Sequence, residues 1–141
     1  MINNPKTARI IAAVVIAMLV ITLAASLIGC SSDKNTAQKD PDSGLTFVAV
    51  ADLPKEAQQT LKLIHQGGPY PYSRDGVVYS NFEKILPKEA SGYYHEYTVK
   101  TPGEKDRGAR RIVTGKNSER YYTDDHYQSF RRIKADGGTD G

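Results

Sequence analysis

Apolar and polar positions divide this chain into stretches of different character. Residues 10–28 run almost unbroken as IIAAVVIAMLVITLAASLI, with only Thr22 and Ser26 polar. The nine residues before them carry Lys6 and Arg9 and no acid. A basic start followed by an apolar core is the pattern of an export signal, and a run of roughly 20 apolar residues also suffices to span a bilayer. The next stretch, SSDKNTAQKDPDSG at 31–44, has no large apolar residue and cannot bury enough surface to fold, so it reads as a flexible spacer. Helical periodicity appears next. In LPKEAQQTLKLIHQGG, Leu53, Ala57, Leu61 and Ile64 are spaced by four, four and three and form one stripe of a helix. Pro54 stands at its start and Gly67 at its stop, while His65 in the last turn reads as a surface residue suited to the helix dipole.

Beyond the glycine- and proline-rich turns at 67–76, short strand patterns recur at 77–79, 93–99, 108–113, 121–123 and 127–133. Thr101-Pro102-Gly103 fits a type II turn between two of them. One helix followed by consecutive strands predicts an α+β fold, an N-terminal helix packed on a small antiparallel β-sheet, with the other sheet face left to carry a site. The tail at 135–141, ADGGTDG, is too polar and glycine-rich to be ordered. The predicted organisation is an export or membrane segment at 1–29, a linker at 30–44, a folded domain at 45–134 and a disordered tail. A domain of that size can bury its own core, with a modest margin.

Cysteine usage decides what the apolar run is for. Cys30 is the only cysteine, so no disulfide can form within the chain. Leu27-Ile28-Gly29-Cys30 resembles the lipobox of bacterial lipoproteins, in which the cysteine is lipidated and becomes the new N-terminus. A retained transmembrane anchor is the alternative. Either way the domain is tethered outside the cytoplasm, and two acyl chains at about 0.8 kcal/mol per buried methylene hold it there stably.

Charge changes the picture once the ends are set aside. The chain as a whole is +3, but residues 45–134 hold 15 Lys and Arg against 11 Asp and Glu, or +4. Lys105, Arg107, Arg110, Arg111, Lys116 and Arg120 crowd into 104–120 against three acids. A polyanionic partner and a solvated basic face both account for such a cluster.

The stretch GYYHEYTV at 92–99 places His95 beside Glu96. Neighbours on a strand point to opposite faces, so they cannot converge on one substrate atom. The odd residues Tyr93, His95, Tyr97 and Val99 form the more apolar face and are expected toward the core, with Glu96 toward the open side. His95 is therefore read as structural.

Five blocks occur in order: Asp75-Gly76-Val77-Val78-Tyr79, Tyr93-Tyr94-His95-Glu96-Tyr97-Thr98-Val99, Thr101-Pro102-Gly103, Arg107-Gly108-Ala109-Arg110-Arg111-Ile112, and Tyr121-Tyr122-Thr123-Asp124-Asp125-His126-Tyr127. Together they resemble the guanyl-specific microbial ribonucleases, the barnase-containing family, and within it most closely the actinomycete ribonuclease Sa type. The resemblance implies the microbial ribonuclease fold and cleavage of single-stranded RNA 3′ of guanosine through a 2′,3′-cyclic phosphate, with no metal or other cofactor. It makes Glu96 the general base and His126 the general acid, and sets Arg111, supported by Arg107, against the phosphate. It gives Glu83 the guanine N1 and N2 protons, the backbone at Asn81 and Phe82 the O6 and N7 atoms, Tyr79 and Tyr127 the stacking faces, and Tyr72 a phosphate or ribose contact. The resemblance implies RNA as partner of a monomer and leaves room for a barstar-like inhibitor, while the membrane enters as partner through the N-terminal segment.

Three positions depart from the family pattern. Ala49 stands near the first half of the branch's usual disulfide, Phe82 stands where Arg is common, and Asp124 replaces a Gly. Two further functions fit the same residues: a surface RNA-binding module without turnover, and an antibacterial toxin nuclease.

Overall fold

In the computed structural model, residues 37–135 are described. The export segment at 1–29, residues 30–36 of the expected linker, Cys30 among them, and all but the first residue of the tail lie outside them. The helix forms as α1 at Lys55–Gln66, with Pro54 at its N-cap and Gly67 taking the left-handed conformation (φ 76°) that ends it. Thr60 ties it to the sheet, its hydroxyl donating to the Thr98 carbonyl at 3.2 Å.

Among the described residues six strands make one sheet: β1 Phe47–Val48, β2 Val77–Tyr79, β3 Tyr94–Thr98, β4 Arg111–Thr114, β5 Arg120–Thr123 and β6 Arg131–Ile133. Their spatial order is β1-β6-β5-β4-β3-β2. Every pairing is antiparallel except β1 with β6, so the sheet is mixed where a purely antiparallel one was expected. At two residues, β1 is too short to show alternation. The last strand also begins later than its pattern suggested, because His126 and Tyr127 have φ of 55° and 69°, outside the strand region.

The expected linker ends earlier than residue 44. Asp40 and Leu45 join by a backbone bond of 2.8 Å, Gly44 donates to Asp40 at 2.7 Å, and Lys39 bridges to Thr46. The buried Asp40 carboxylate accepts from the Ser43 hydroxyl at 2.6 Å and stands 3.7 Å from Arg132. Backbone pairing and a buried ion pair, rather than apolar burial, order this turn, which is why composition missed it.

Two cores flank the sheet. Beneath α1, Leu53, Ala57 and Leu61 pack with Val99, Ile112 and Tyr122. On the other face, Tyr79, Tyr94, Val113 and Tyr121 pack with Leu86 and Phe130 from the loops that fold over it. Val99 thus lies on the helix side, as its odd position predicted. The even face is not open, however: Tyr94, Glu96 and Thr98 are the buried residues of β3.

Candidate active site

Glu96 sits mid-strand, in register with Val77 on one side and Val113 on the other, and is only 6% exposed. A carboxylate so placed needs donors. Arg107 supplies one, from Nη2 to Oε1 at 3.0 Å, and the Tyr127 hydroxyl donates to Oε2. The plane of Arg107 is fixed in turn by its Nε, which donates to the Thr98 hydroxyl at 3.0 Å. Burial, then the bond to Glu96, pushes the Tyr127 hydroxyl up to about 12, so it stays protonated and keeps donating at neutral pH.

Arg111 is 3% exposed. Its Nη1 donates to the carbonyls of Gly108 and Arg110 at 2.9 and 2.8 Å, its guanidinium carbon lies 5.9 Å from the centre of the Tyr127 ring, and its Nε has no partner among the described residues. Arg107 reaches the cleft wall, whereas Arg111 stands behind it as a fixed buried charge. Arg111, expected to lead against the phosphate, is thus the deeper of the two.

His126 borders the same cleft from an exposed turn. Two consecutive left-handed residues require support. The His126 amide donates to the Ala109 carbonyl at 3.2 Å, and the Asp125 carboxylate accepts from the Thr123 hydroxyl and the Ser129 amide, each at 2.9 Å, and from the Ser129 hydroxyl. Burial pushes the Asp125 carboxyl up, but these bonds outweigh it and hold it below its ordinary value. Asp124 points elsewhere, to an exposed pair with Arg131 at 3.3 Å.

The loop after β2 forms the far wall. Tyr79 stacks on Tyr127 with ring centres 4.9 Å apart and planes at 22°, and its hydroxyl donates to Glu83 Oε2 at 3.0 Å. Burial, then that bond, raises the Tyr79 hydroxyl well above its ordinary value. The Asn81 side chain braces the loop, donating to the Leu86 carbonyl at 2.9 Å and accepting from the Leu86 amide at 3.2 Å. These bonds fix the loop's shape at Asn81, where φ is 53°. The Phe82 ring projects to solvent, 83% exposed.

These groups enclose a cleft of about 360 Å³ on the sheet face opposite α1. Tyr79, Phe82, Glu83, Glu96, Arg107, His126 and Tyr127 come together there; Tyr72 does not border it, its amide being held instead by Asp75 at 3.2 Å. His95 lies across the sheet, opposite Thr114 in register. Arg74, which no sequence pattern marked, also lines the cleft from the turn before β2. Its position next to the Asp75-Gly76 block was the signal available.

A buried carboxylate held by a guanidinium, with an exposed imidazole across a cleft and aromatic rings beside it, defines a site for acid–base phosphoryl transfer on a nucleic acid. Comparison with known proteins narrows the class: the ribonuclease family model matches residues 36–134. The chain belongs to the guanyl-specific microbial ribonucleases. It is 62% identical over 89 residues to guanyl-specific ribonuclease St of Saccharopolyspora erythraea, covering 63% of this chain and 88% of that protein. Ribonuclease Sa2 in complexes with mononucleotides is similar with a TM-score of 0.64 at 54% identity, over 68% of this chain and 98% of that one. Ribonuclease Sa2 with guanosine-2′-cyclophosphate is similar with a TM-score of 0.61 at 56% identity, over 64% and 96%.

Proposed function

We propose that this protein is a guanyl-specific endoribonuclease that cleaves single-stranded RNA 3′ of guanosine through a 2′,3′-cyclic phosphate. The observation that carries the reading is Glu96, fixed by Arg107 and Tyr127 on the same cleft as His126 and Glu83. Glu96 takes the proton of the guanosine 2′-OH as that oxygen attacks phosphorus. His126, as imidazolium, gives a proton to the departing 5′-oxygen. Arg107 at the wall and Arg111 behind it stabilise the charge gathering on the phosphoryl oxygens. Hydrolysis of the cyclic ester then runs the same two proton transfers in reverse. Guanine is selected by its two adjacent donors, N1–H and N2–H, meeting Glu83, while its face packs on Tyr79 and Tyr127.

The test is incubation of the full chain with GpC and ApC. Guanosine 2′,3′-cyclic phosphate should form from GpC, with ApC cleaved at least about tenfold more slowly, the scale of one missing pair of hydrogen bonds. Guanosine monophosphate binding without any cyclic product favours the RNA-binding module instead.

The N-terminal segment holds the enzyme outside the cytoplasm at the membrane surface, most directly through lipid on Cys30; the basic start, the apolar run and Leu27-Ile28-Gly29-Cys30 support this. Labelled fatty acid should enter the wild-type chain in a bacterial host and be absent from Cys30→Ser. Equal labelling of both would exclude lipidation at this residue.

A further inference from the structure

A second cleft, of about 530 Å³, adjoins the first, and Val78, Tyr79 and Ser80 border both. The recognition loop is thus a wall with a hollow on each side. The floor of the second hollow includes Leu86 and Tyr94, and Lys84 and Lys88 stand on its rim with Glu89. Its walls are pre-formed: Asn81 is bonded to Leu86, the Lys84 amide donates to the Asn81 carbonyl at 2.9 Å, and the Tyr94 hydroxyl donates to the Pro87 carbonyl at 2.7 Å. Both lysines are exposed, and neither makes an ion pair among the described residues.

We infer that this second cleft is a subsite for the nucleotide on the 5′ side of the guanosine. The inference rests on the reading of the first cleft given above. Reaction chemistry fixes the 3′ side of the guanosine at Glu96 and His126, because one takes the 2′-OH proton and the other serves the 5′-oxygen leaving the 3′-phosphate. Along β3, Tyr94 lies two residues from Glu96, about 7 Å at strand rise, toward the end where Tyr79 pairs. An RNA strand leaving the guanosine by its 5′ side runs over Tyr79 toward that end. There it meets an apolar floor on which a base can lie and two unpaired ammonium groups for the connecting phosphate. Continuity with the catalytic cleft and the charge on the rim identify the occupant as substrate RNA.

The test is calorimetric and needs no turnover. Trinucleotide ApGpC and dinucleotide GpC, each with 2′-deoxyguanosine so that no nucleophile is present, are titrated into the full-length chain in detergent. The trinucleotide should bind at least about fivefold more tightly, the lower end of what stacking one base contributes. The double variant Lys84→Asn, Lys88→Ser should lose most of that advantage, and the salt dependence of trinucleotide binding should become shallower by about 0.7 per phosphate contact removed. Asn is chosen for the left-handed position 84, where φ is 56°. Equal affinity for the two oligonucleotides, or equal losses on both in the double variant, would overturn the subsite. Failure of the chain to cleave ordinary GpC would overturn the proposed function instead, and the binding comparison reads the subsite independently of it.

Discussion

Replacing Glu96 by Gln should lower kcat on GpC at least about a hundredfold, or about 2.7 kcal/mol of transition-state stabilisation, the low end for loss of a general base. The amide has the shape of the carboxylate. Its oxygen still accepts from Arg107, and the Tyr127 hydroxyl, a donor to Oε2 in the wild type, turns to accept from the new NH2. What is lost is the capacity to take a proton. The pH profile separates this from general damage: the proposed mechanism needs Glu96 ionised and His126 protonated, so the wild type should trace a bell. With Gln at 96 the fall on the acid side should disappear and only the alkaline fall remain. A residual activity within tenfold of wild type that kept both limbs would remove Glu96 from the role of base.

The contrast between Glu96 and Arg111 indicates what a strand pattern can and cannot reveal. Alternation separated His95 from Glu96 and put Val99 on the helix side, and both follow from a period of two that no tertiary contact alters. The same pattern read the even face as open. It could not register that Leu86 and Phe130 would fold back from the loops before β3 and β6 to cover it, because neither lies on the strand whose alternation was read. Covering that face makes Glu96 a buried carboxylate with two fixed donors rather than a solvated one. Likewise the blocks carrying Arg107 and Arg111 marked both as phosphate-facing, while their division of labour is a matter of depth. Three backbone carbonyls from 107–110 gather around Arg111 Nη1, and only the fold of that loop shows them there. The turn at Asp40 was hidden for a related reason, since its order comes from a buried ion pair that composition does not display.

His126 offers the sharpest discrimination, because its proposed task depends on the leaving group. His126→Ala should lose at least about a hundredfold on GpC, where the departing 5′-alkoxide is a strong base that must be protonated. On a guanosine 3′-(4-nitrophenyl phosphate), nitrophenolate departs without a proton, and the loss should shrink to below about tenfold. The remaining profile should keep its acid limb, which belongs to Glu96, and lose the alkaline one. Alanine is strained at this position, where φ is 55°, by about 1 to 2 kcal/mol. His126→Asn, which tolerates the left-handed conformation and cannot donate a proton as an acid at neutral pH, keeps the turn bonded through Asp125 and Ser129 and should show the same dependence on leaving group. Equal losses on both substrates in the Asn variant would mean that His126 shapes the cleft rather than protonating the leaving oxygen.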